Sequence, residues 1–380
     1  MKASVFLYPW DVIGDPDAPA RIADLGAGQV TLAAAYHATR ALTPHHPHHR
    51  VVTAEHAAVL YPVDERRWSG RALRPYPAGR WAPGDAYGEA AEALAAAGLD
   101  VHSWVVLAHN SRLGAEHPGT SVVNAYGDRY PWAPCIARPE VRAYLVALAA
   151  EAAVRPGARG TELESCGWYG LAHLHAHDKI AGVPLDDTAQ YLMSLCFCDV
   201  CRRGYGEAGL DAERLAARVR GALEPVWEQG PCGDGEELLD ATVGYRASVA
   251  RAFQEDVVRA VREAAEPGFQ VLLHADPGVH RCGANAGVDA AGVLGFADGV
   301  VVPCAGGRVD LLRPFAEHAP EGAVVAANFT VVAGMGGRPG ALREDAARAA
   351  AAGATDLRLY HGGLASAQDL AAVRRSGAVG

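Results

Sequence analysis

The stretch 160–205 contains the side chains best suited to chemistry. A short β-like run ends at the carboxylate of Glu164, and a loop rich in Gly, His and aromatic residues follows it. A carboxylic acid at a partly buried strand end can have its pKa raised by desolvation, so that it keeps a proton to donate. We therefore predict that Glu164 is a catalytic acid/base. The structural alternative is an ion-paired carboxylate without a catalytic role.

Three closely spaced thiols follow in the same stretch: Cys196, Cys198 and Cys201. Structural zinc takes four ligands in a tetrahedron and accepts thiolates readily. The spacing therefore predicts a zinc site, with Cys135 or Cys166 as candidates for the fourth ligand. Such a closed site would hold a loop in place rather than catalyse. The alternative is that the cysteines are simply small buried apolar residues.

Histidines are also concentrated in this stretch. The HLHAH segment carries His173, His175 and His177 at alternating positions, so an extended backbone would place all three on one side. We expect them to line a substrate cleft or to bind a metal, and one of them is a further candidate for the fourth zinc ligand. The histidines of the PHHPHH segment at 44–49 are interpreted as part of a solvated loop.

Eight short β-forming runs alternate with helix-like segments. The predicted strands are 4–8, 29–36, 101–108, 160–164, 269–274, 299–303, 323–329 and 356–360. The predicted helices are 16–25, 85–97, 139–154, 211–223, 236–265, 309–318, 342–352 and 366–375. Eight such units predict a (β/α)8 TIM barrel. A doubly wound open sheet is the alternative, although no G-x-G-x-x-G motif follows the first strand.

The length of 380 residues suits one large barrel. We predict a single domain over 1–380, with loop insertions at about 40–84 and 166–235. Loops of that length inside a compact domain usually have a function or are insertions.

Residues that follow the strands of such a barrel meet at one face. Here they are polar, aromatic and titratable. The predicted substrate-binding residues are Trp10, Asp11, Tyr36, His37, His109, Asn110, His274, Asn328, Tyr360 and His361. Flat aromatic faces and multiple hydrogen-bonding groups suit a carbohydrate-like substrate. The alternative is that individual members are hydrogen-bonded polar residues of the core.

Hydrolysis of a glycoside normally needs a second carboxylate. Asp276, which follows the fifth strand, is our first choice for this partner, and Asp11 is the second. The seventh strand ends in Asn328 and supplies no carboxylate. Glu162 lies two residues before Glu164 and on the same side of the strand, which predicts a place inside the barrel or an ion pair with an arginine.

Glu164 at a strand end, the loop after it and the CFCDVC segment together resemble the (β/α)8 glycoside hydrolases. The resemblance is to the family-42 β-galactosidases and to glycosyl-hydrolase-like barrels of unassigned activity, and it covers about the middle third of the chain. It implies that Glu164 is the acid/base. It also implies that Cys196, Cys198 and Cys201 bind zinc, with Cys135 as the fourth ligand.

Two positions depart from the family pattern. Leu163 precedes Glu164 where the family has Asn, and the segment 328–330 stands where the family has its nucleophilic Glu. Asp276 or Asp11 would then replace the nucleophile, or the barrel would bind carbohydrate without cleaving it. A metal-dependent lyase or hydrolase that uses histidines with Asp276 is a third hypothesis.

Composition and charge exclude several classes of protein function. The net charge of -10 argues against a nucleic-acid or membrane-surface binder. No apolar stretch reaches the roughly 18 residues of a membrane span, and the start of the sequence lacks a signal-peptide pattern. We therefore expect a cytoplasmic protein with reduced cysteines and a small-molecule or carbohydrate substrate. A homo-oligomer is also compatible with the sequence.

Overall fold

Eight parallel strands close into a barrel in the computed structural model, which describes residues 1–172 and 178–379. The barrel strands are β1 (Lys2–Leu7), β2 (Gln29–Tyr36), β3 (Asp100–Val106), β4 (Ala158–Glu164), β5 (Gln270–Asp276), β6 (Gly299–Pro303), β7 (Val324–Thr330) and β8 (Asp356–Tyr360). Strand β1 pairs with both β8 and β2, which closes the sheet. The predicted (β/α)8 barrel is therefore confirmed, and the open-sheet alternative is wrong.

Helices separate the strands and cover the outside of the barrel. They are α1 (Ala18–Ala23), α2 (Glu65–Trp68), α3 (Ala86–Ala96), α4 (Ser111–Glu116), α5 (Pro139–Ala153), α6 (Asp187–Met193), α7 (Asp199–Glu207), α8 (Ala212–Trp227), α9 (Gly235–Ala264), α10 (Ala290–Val293), α11 (Arg313–Ala316), α12 (Leu342–Ala351) and α13 (Ala367–Ser376). Within the described ranges, no helix combines the length and the apolar character that a membrane crossing requires.

One predicted helix is divided in the structure. The segment expected to be helical over 309–318 forms a 3-10 turn at Val309–Leu312 and then the short helix α11. Pro314 lies in the first turn of α11. A proline has no N–H to donate, so it fits the start of a helix and interrupts one that is already running.

The barrel interior contains an ionic layer rather than a purely apolar one. Nε of Arg358 donates to Oε1 of Glu162 at 2.5 Å, and both side chains are almost fully buried. Thr31 donates to the same carboxylate oxygen at 3.1 Å. Burial alone would raise the pKa of Glu162, but the Arg358 guanidinium lowers it to about 2. The predicted location of Glu162 inside the barrel, paired with an arginine, is confirmed.

Short accessory strands shape the loops above the barrel. Thr39–Leu42 and Val51–Ala54 form an antiparallel hairpin after β2, and Ser121–Val123 pairs with Arg129–Pro134 after β3. Ala58–Val59 adds to β2, and Ala286–Gly287 adds to β5. The hairpin after β2 forms part of the wall of the cavity described next.

Candidate functional site

A cavity of about 590 Å³ opens where the carboxyl ends of the barrel strands meet. This is the face at which the loops of a (β/α)8 barrel gather. Six of the residues predicted from the sequence line it: Tyr36, His37, Glu164, His274, Asn328 and Tyr360. The structure thus brings one predicted catalytic residue together with five predicted substrate-binding residues.

Glu164 ends β4 and faces this cavity. Its Oε2 accepts a hydrogen bond of 2.8 Å from Nε1 of Trp104, which lies on the neighbouring strand β3. Burial raises the pKa of Glu164, and the smaller lowering effects of His274 and of the Trp104 hydrogen bond do not cancel that effect. Because one oxygen is held by Trp104, Oε1 is the oxygen available to a ligand.

Three tyrosine hydroxyls cluster on the floor of the cavity. Oη of Tyr8 donates to Oη of Tyr36 at 3.1 Å, and Tyr360 lines the same cavity. Burial raises the pKa of all three hydroxyl groups, so each keeps its proton near neutral pH. The site therefore offers neutral O–H groups, which both donate and accept hydrogen bonds.

Tyr8 was missed by the sequence reasoning. The sequence predicts that the first strand extends through Tyr8, so Trp10 was expected to be the first substrate-binding residue after that strand. In the structure β1 ends at Leu7, and Tyr8 is the first residue past the strand. The Pro9 that follows was the available signal, because a proline has no N–H to donate to a neighbouring strand and therefore limits how far a central strand can continue.

His274 connects the cavity to the ionic layer beneath it. Its Nε2 lies 3.5 Å from Oε2 of Glu162, which is longer than an ordinary hydrogen bond but close enough for electrostatic contact. The His274 side chain is only 4% exposed. The charge of Glu162 therefore interacts electrostatically with the His274 ring, which lines the cavity, because the distance is short and both groups are largely shielded from water.

Two asparagines place unpaired oxygens at the cavity. Oδ1 of Asn285 and Oδ1 of Asn328 are buried and find no hydrogen-bond partner in the described part of the chain, and both residues line the cavity. A buried polar atom without a partner costs free energy unless a ligand or water satisfies it. Asn285 lies in the irregular chain beyond β5, where no sequence signal marked it.

A second group of predicted residues lies behind Tyr8. The Trp10 ring stacks on the Tyr8 ring at 4.6 Å, and the His361 ring lies 4.3 Å from it. Asp11 accepts the Tyr8 N–H at 2.8 Å, and burial raises the pKa of Asp11 to about 7. None of these three is among the described residues that line the cavity. Their position lets them support Tyr8 instead.

Three further predicted residues also lie outside the lining. Oδ1 of Asn110 caps α4 by accepting the Leu113 N–H at 2.9 Å. The His109 ring lies 4.8 Å from the His37 ring, one layer away from the cavity. Oδ1 of Asp276 accepts the Gly278 N–H at 2.8 Å and stabilises the turn after β5. A direct role for Asp276 as partner carboxylate stays a prediction.

Four cysteines form a buried cluster away from the cavity. They are Cys135, Cys196, Cys198 and Cys201, and their Sγ atoms all lie within 4.8 Å of one another. Sγ of Cys135 is 3.5 Å from that of Cys201 and 3.8 Å from that of Cys198. These four thiols can hold a metal ion. Cys166 is not part of this cluster, and the predicted candidates His173, His175 and His177 lie outside the described residues.

The sequence matches no protein-family model and no curated protein. The structure is similar to the alpha-L-fucosidase isoenzyme 2 from Paenibacillus thiaminolyticus, with 14% identity, a TM-score of 0.58, and coverage of 99% of this chain and 49% of that one. It is also similar to the PgaB (BpsB) glycoside hydrolase domain from Bordetella bronchiseptica, with 15% identity, a TM-score of 0.57 and 98% coverage of both chains. A third similar structure is a GH42 β-galactosidase from G. stearothermophilus, with 11% identity, a TM-score of 0.55, and coverage of 100% of this chain and 57% of that one.

These similarities concern the barrel fold, because the sequence identities are too low to carry more than that. The chain spans about half the length of the fucosidase and somewhat more of the β-galactosidase, but nearly all of the PgaB domain. The resemblance to glycoside-hydrolase barrels that the sequence indicated is thus confirmed at the level of the fold.

Proposed function

We propose that this chain is a glycoside-hydrolase-like enzyme that acts on a glycoside or a related polyhydroxylated small molecule, with Glu164 as general acid/base. The observation that carries the proposal is a buried carboxyl group of raised pKa that faces a polar cavity at the barrel mouth. A raised pKa increases the fraction of the carboxyl group that carries a proton, which it can give to the oxygen of a leaving group. The solved structures with a similar fold that act on carbohydrates support the same class.

The lining groups suit a substrate with several hydroxyls. The Tyr8, Tyr36 and Tyr360 hydroxyls donate and accept, and the free Oδ1 atoms of Asn285 and Asn328 accept. Glu164 protonates the glycosidic oxygen through Oε1 as the bond to the anomeric carbon breaks. Water then adds to that carbon and gives its proton to a base.

His274 is the second titratable group that we place in this reaction. Its ring lines the cavity and contacts the Glu162 carboxylate, which would stabilise the imidazolium formed when it accepts the proton of water. The proton then returns to Glu164 through solvent. Asp276, the partner predicted from the sequence, accepts the Gly278 N–H through Oδ1, and its role as partner carboxylate stays a prediction.

A barrel that binds carbohydrate without cleaving it is the second candidate. One observation favours it: among the described residues that line the cavity, Glu164 is the only carboxylate. Most glycoside hydrolases flank the scissile bond with two carboxylates. The two candidates share the binding site and differ in turnover.

Glu164→Gln separates them. On a panel of aryl and alkyl glycosides, we expect the substitution to lower kcat by about 100-fold or more, because general acid catalysis contributes about 10²–10⁴, and to leave affinity within a few-fold. Glu151→Gln is the matched control, because Glu151 is also a buried glutamate that accepts a tryptophan Nε1–H but lies outside the cavity lining, and we expect it to keep most of the activity. Full turnover by Glu164→Gln would refute the enzyme assignment, and calorimetric binding without turnover in the unmodified chain would select the second candidate.

We further propose that the four-cysteine cluster binds structural zinc. Zn–S bonds of about 2.3 Å in a tetrahedron require sulfur atoms about 3.8 Å apart. The distances of 3.5 and 3.8 Å from Cys135 fit that requirement. The ion would join the segment that follows the strand Arg129–Pro134 to the start of α7. None of the eight cysteines forms a disulfide, which agrees with the cytoplasmic location that we propose.

A further inference from the structure

The cavity has a polar floor and an apolar rim. The floor consists of the strand-end groups described above, including the tyrosine hydroxyls and Glu164. The rim comes from three other segments, which are the hairpin after β2 and the loops after β7 and β8. The aliphatic side chains that line the rim are Leu42, Val332, Met335 and Leu364.

Two of these side chains are unusually exposed. Leu42 is 65% and Met335 is 53% exposed, and both line the same cavity. Val51 is 50% exposed and lies directly opposite Leu42 in the hairpin. Opposed residues of an antiparallel pair point to the same face. Three of the seven large apolar side chains that are exposed in the described ranges thus lie near this mouth, and such grouping marks binding surfaces.

The chemistry of the rim selects among occupants. The tyrosines that line the cavity all lie on its floor, and the described rim residues contribute no aromatic face on which a second sugar ring could stack. Arg40 lies two residues before Leu42, on the same face of the hairpin, and its aliphatic stem can extend the apolar surface. A volume of about 590 Å³ also leaves room for more than one ring, since drug-sized ligands occupy cavities of about 300–1,000 Å³.

We propose that the substrate is an amphipathic glycoside, with one sugar on the polar floor and an alkyl or aryl aglycone against Leu42 and Met335. This inference rests on the proposed carbohydrate site and adds the chemical class of the leaving group. The apolar aglycone buries the exposed aliphatic side chains of the rim, and the hydroxyls of the sugar form hydrogen bonds with the polar groups of the floor. The oxygen that Glu164 protonates is the one that joins the two parts.

Calorimetry on the full chain tests this with methyl, butyl and hexyl glycosides of D-galactose, D-glucose and N-acetyl-D-glucosamine. We expect affinity to rise with each added methylene, by about twofold for half burial and about fourfold for full burial. The double variant Leu42→Ser/Met335→Ser should abolish this dependence and leave the affinity for the methyl glycoside unchanged. Val279→Ser removes an exposed apolar side chain from outside the cavity and should change neither.

The outcomes separate this inference from the proposed function. Equal affinity for methyl and hexyl glycosides would overturn the aglycone assignment and leave the carbohydrate site standing. If none of these glycosides bound, both the aglycone assignment and the proposed carbohydrate site would be overturned. If the double variant instead converted a dimer to a monomer in sedimentation, without any dependence on chain length, the rim would be a surface for a second copy of this chain and the inference would be wrong.

Discussion

Removal of the charge on Glu162 should destabilise the barrel strongly. The carboxylate and the Arg358 guanidinium are 0% and 1% exposed, so Glu162→Gln leaves a buried cation without its main partner. Breaking such a pair costs about 3–5 kcal/mol. The pKa of Glu162, lowered from 4.5 to about 2, gives about 3 kcal/mol by itself. Asp356 lies 3.6 Å from Arg358 and compensates in part, so we expect a loss of about 3 kcal/mol.

Urea denaturation at pH 7 measures this loss. The control is Glu65→Gln, whose partner Arg74 forms an ion pair at the surface, with side chains 74% and 46% exposed. That pair should contribute about 0.5 kcal/mol or less. A cost for Glu162→Gln as small as that of the control would refute the reasoning. If Glu162→Gln does not fold, Glu162→Leu/Arg358→Met should restore folding, because it removes both charges together.

Two further predictions concern the metal cluster and the acid response. The purified chain should contain about one zinc ion, and both a strong chelator and Cys201→Ser should lower its Tm. The control is Cys304→Ser, which changes a buried thiol outside the cluster and should leave the zinc content unchanged. Absence of metal from the purified chain would contradict the zinc site. Burial lowers the pKa of His102 to about 4 from its ordinary 6.5, so the unfolded chain binds that proton first and stability should fall by up to about 3 kcal/mol between pH 6.5 and pH 4. The urea midpoint should depend less steeply on pH in His102→Asn than in the unmodified chain, whereas the exposed control His48→Gln should keep the original dependence. The same pH dependence in His102→Asn as in the unmodified chain would contradict the assignment of the acid response to His102.

The sequence was sufficient for the barrel and for the residues fixed by its strands. The bounds predicted for β2, β6 and β8 agree with the structure, because a buried parallel strand is a local run of β-forming apolar residues. The position of Glu164 at the end of β4 follows from the same local pattern. The approach of Cys135 to the CFCDVC segment agrees with the ligand set that the family resemblance implied.

The paths of the loops were decided only by the tertiary structure. Glu164 and Asp276 are the last residues of β4 and β5, yet Asp276 stabilises a turn and Glu164 faces the cavity. Asn285, Leu42 and Met335 reach the same cavity from segments that carry no periodic pattern. Strand ends are positioned by repeated local hydrogen bonding and burial, whereas a loop follows whatever contacts its distant neighbours allow. The sequence alone therefore determined the scaffold and its carboxylate, and the tertiary structure decided which side chains surround them.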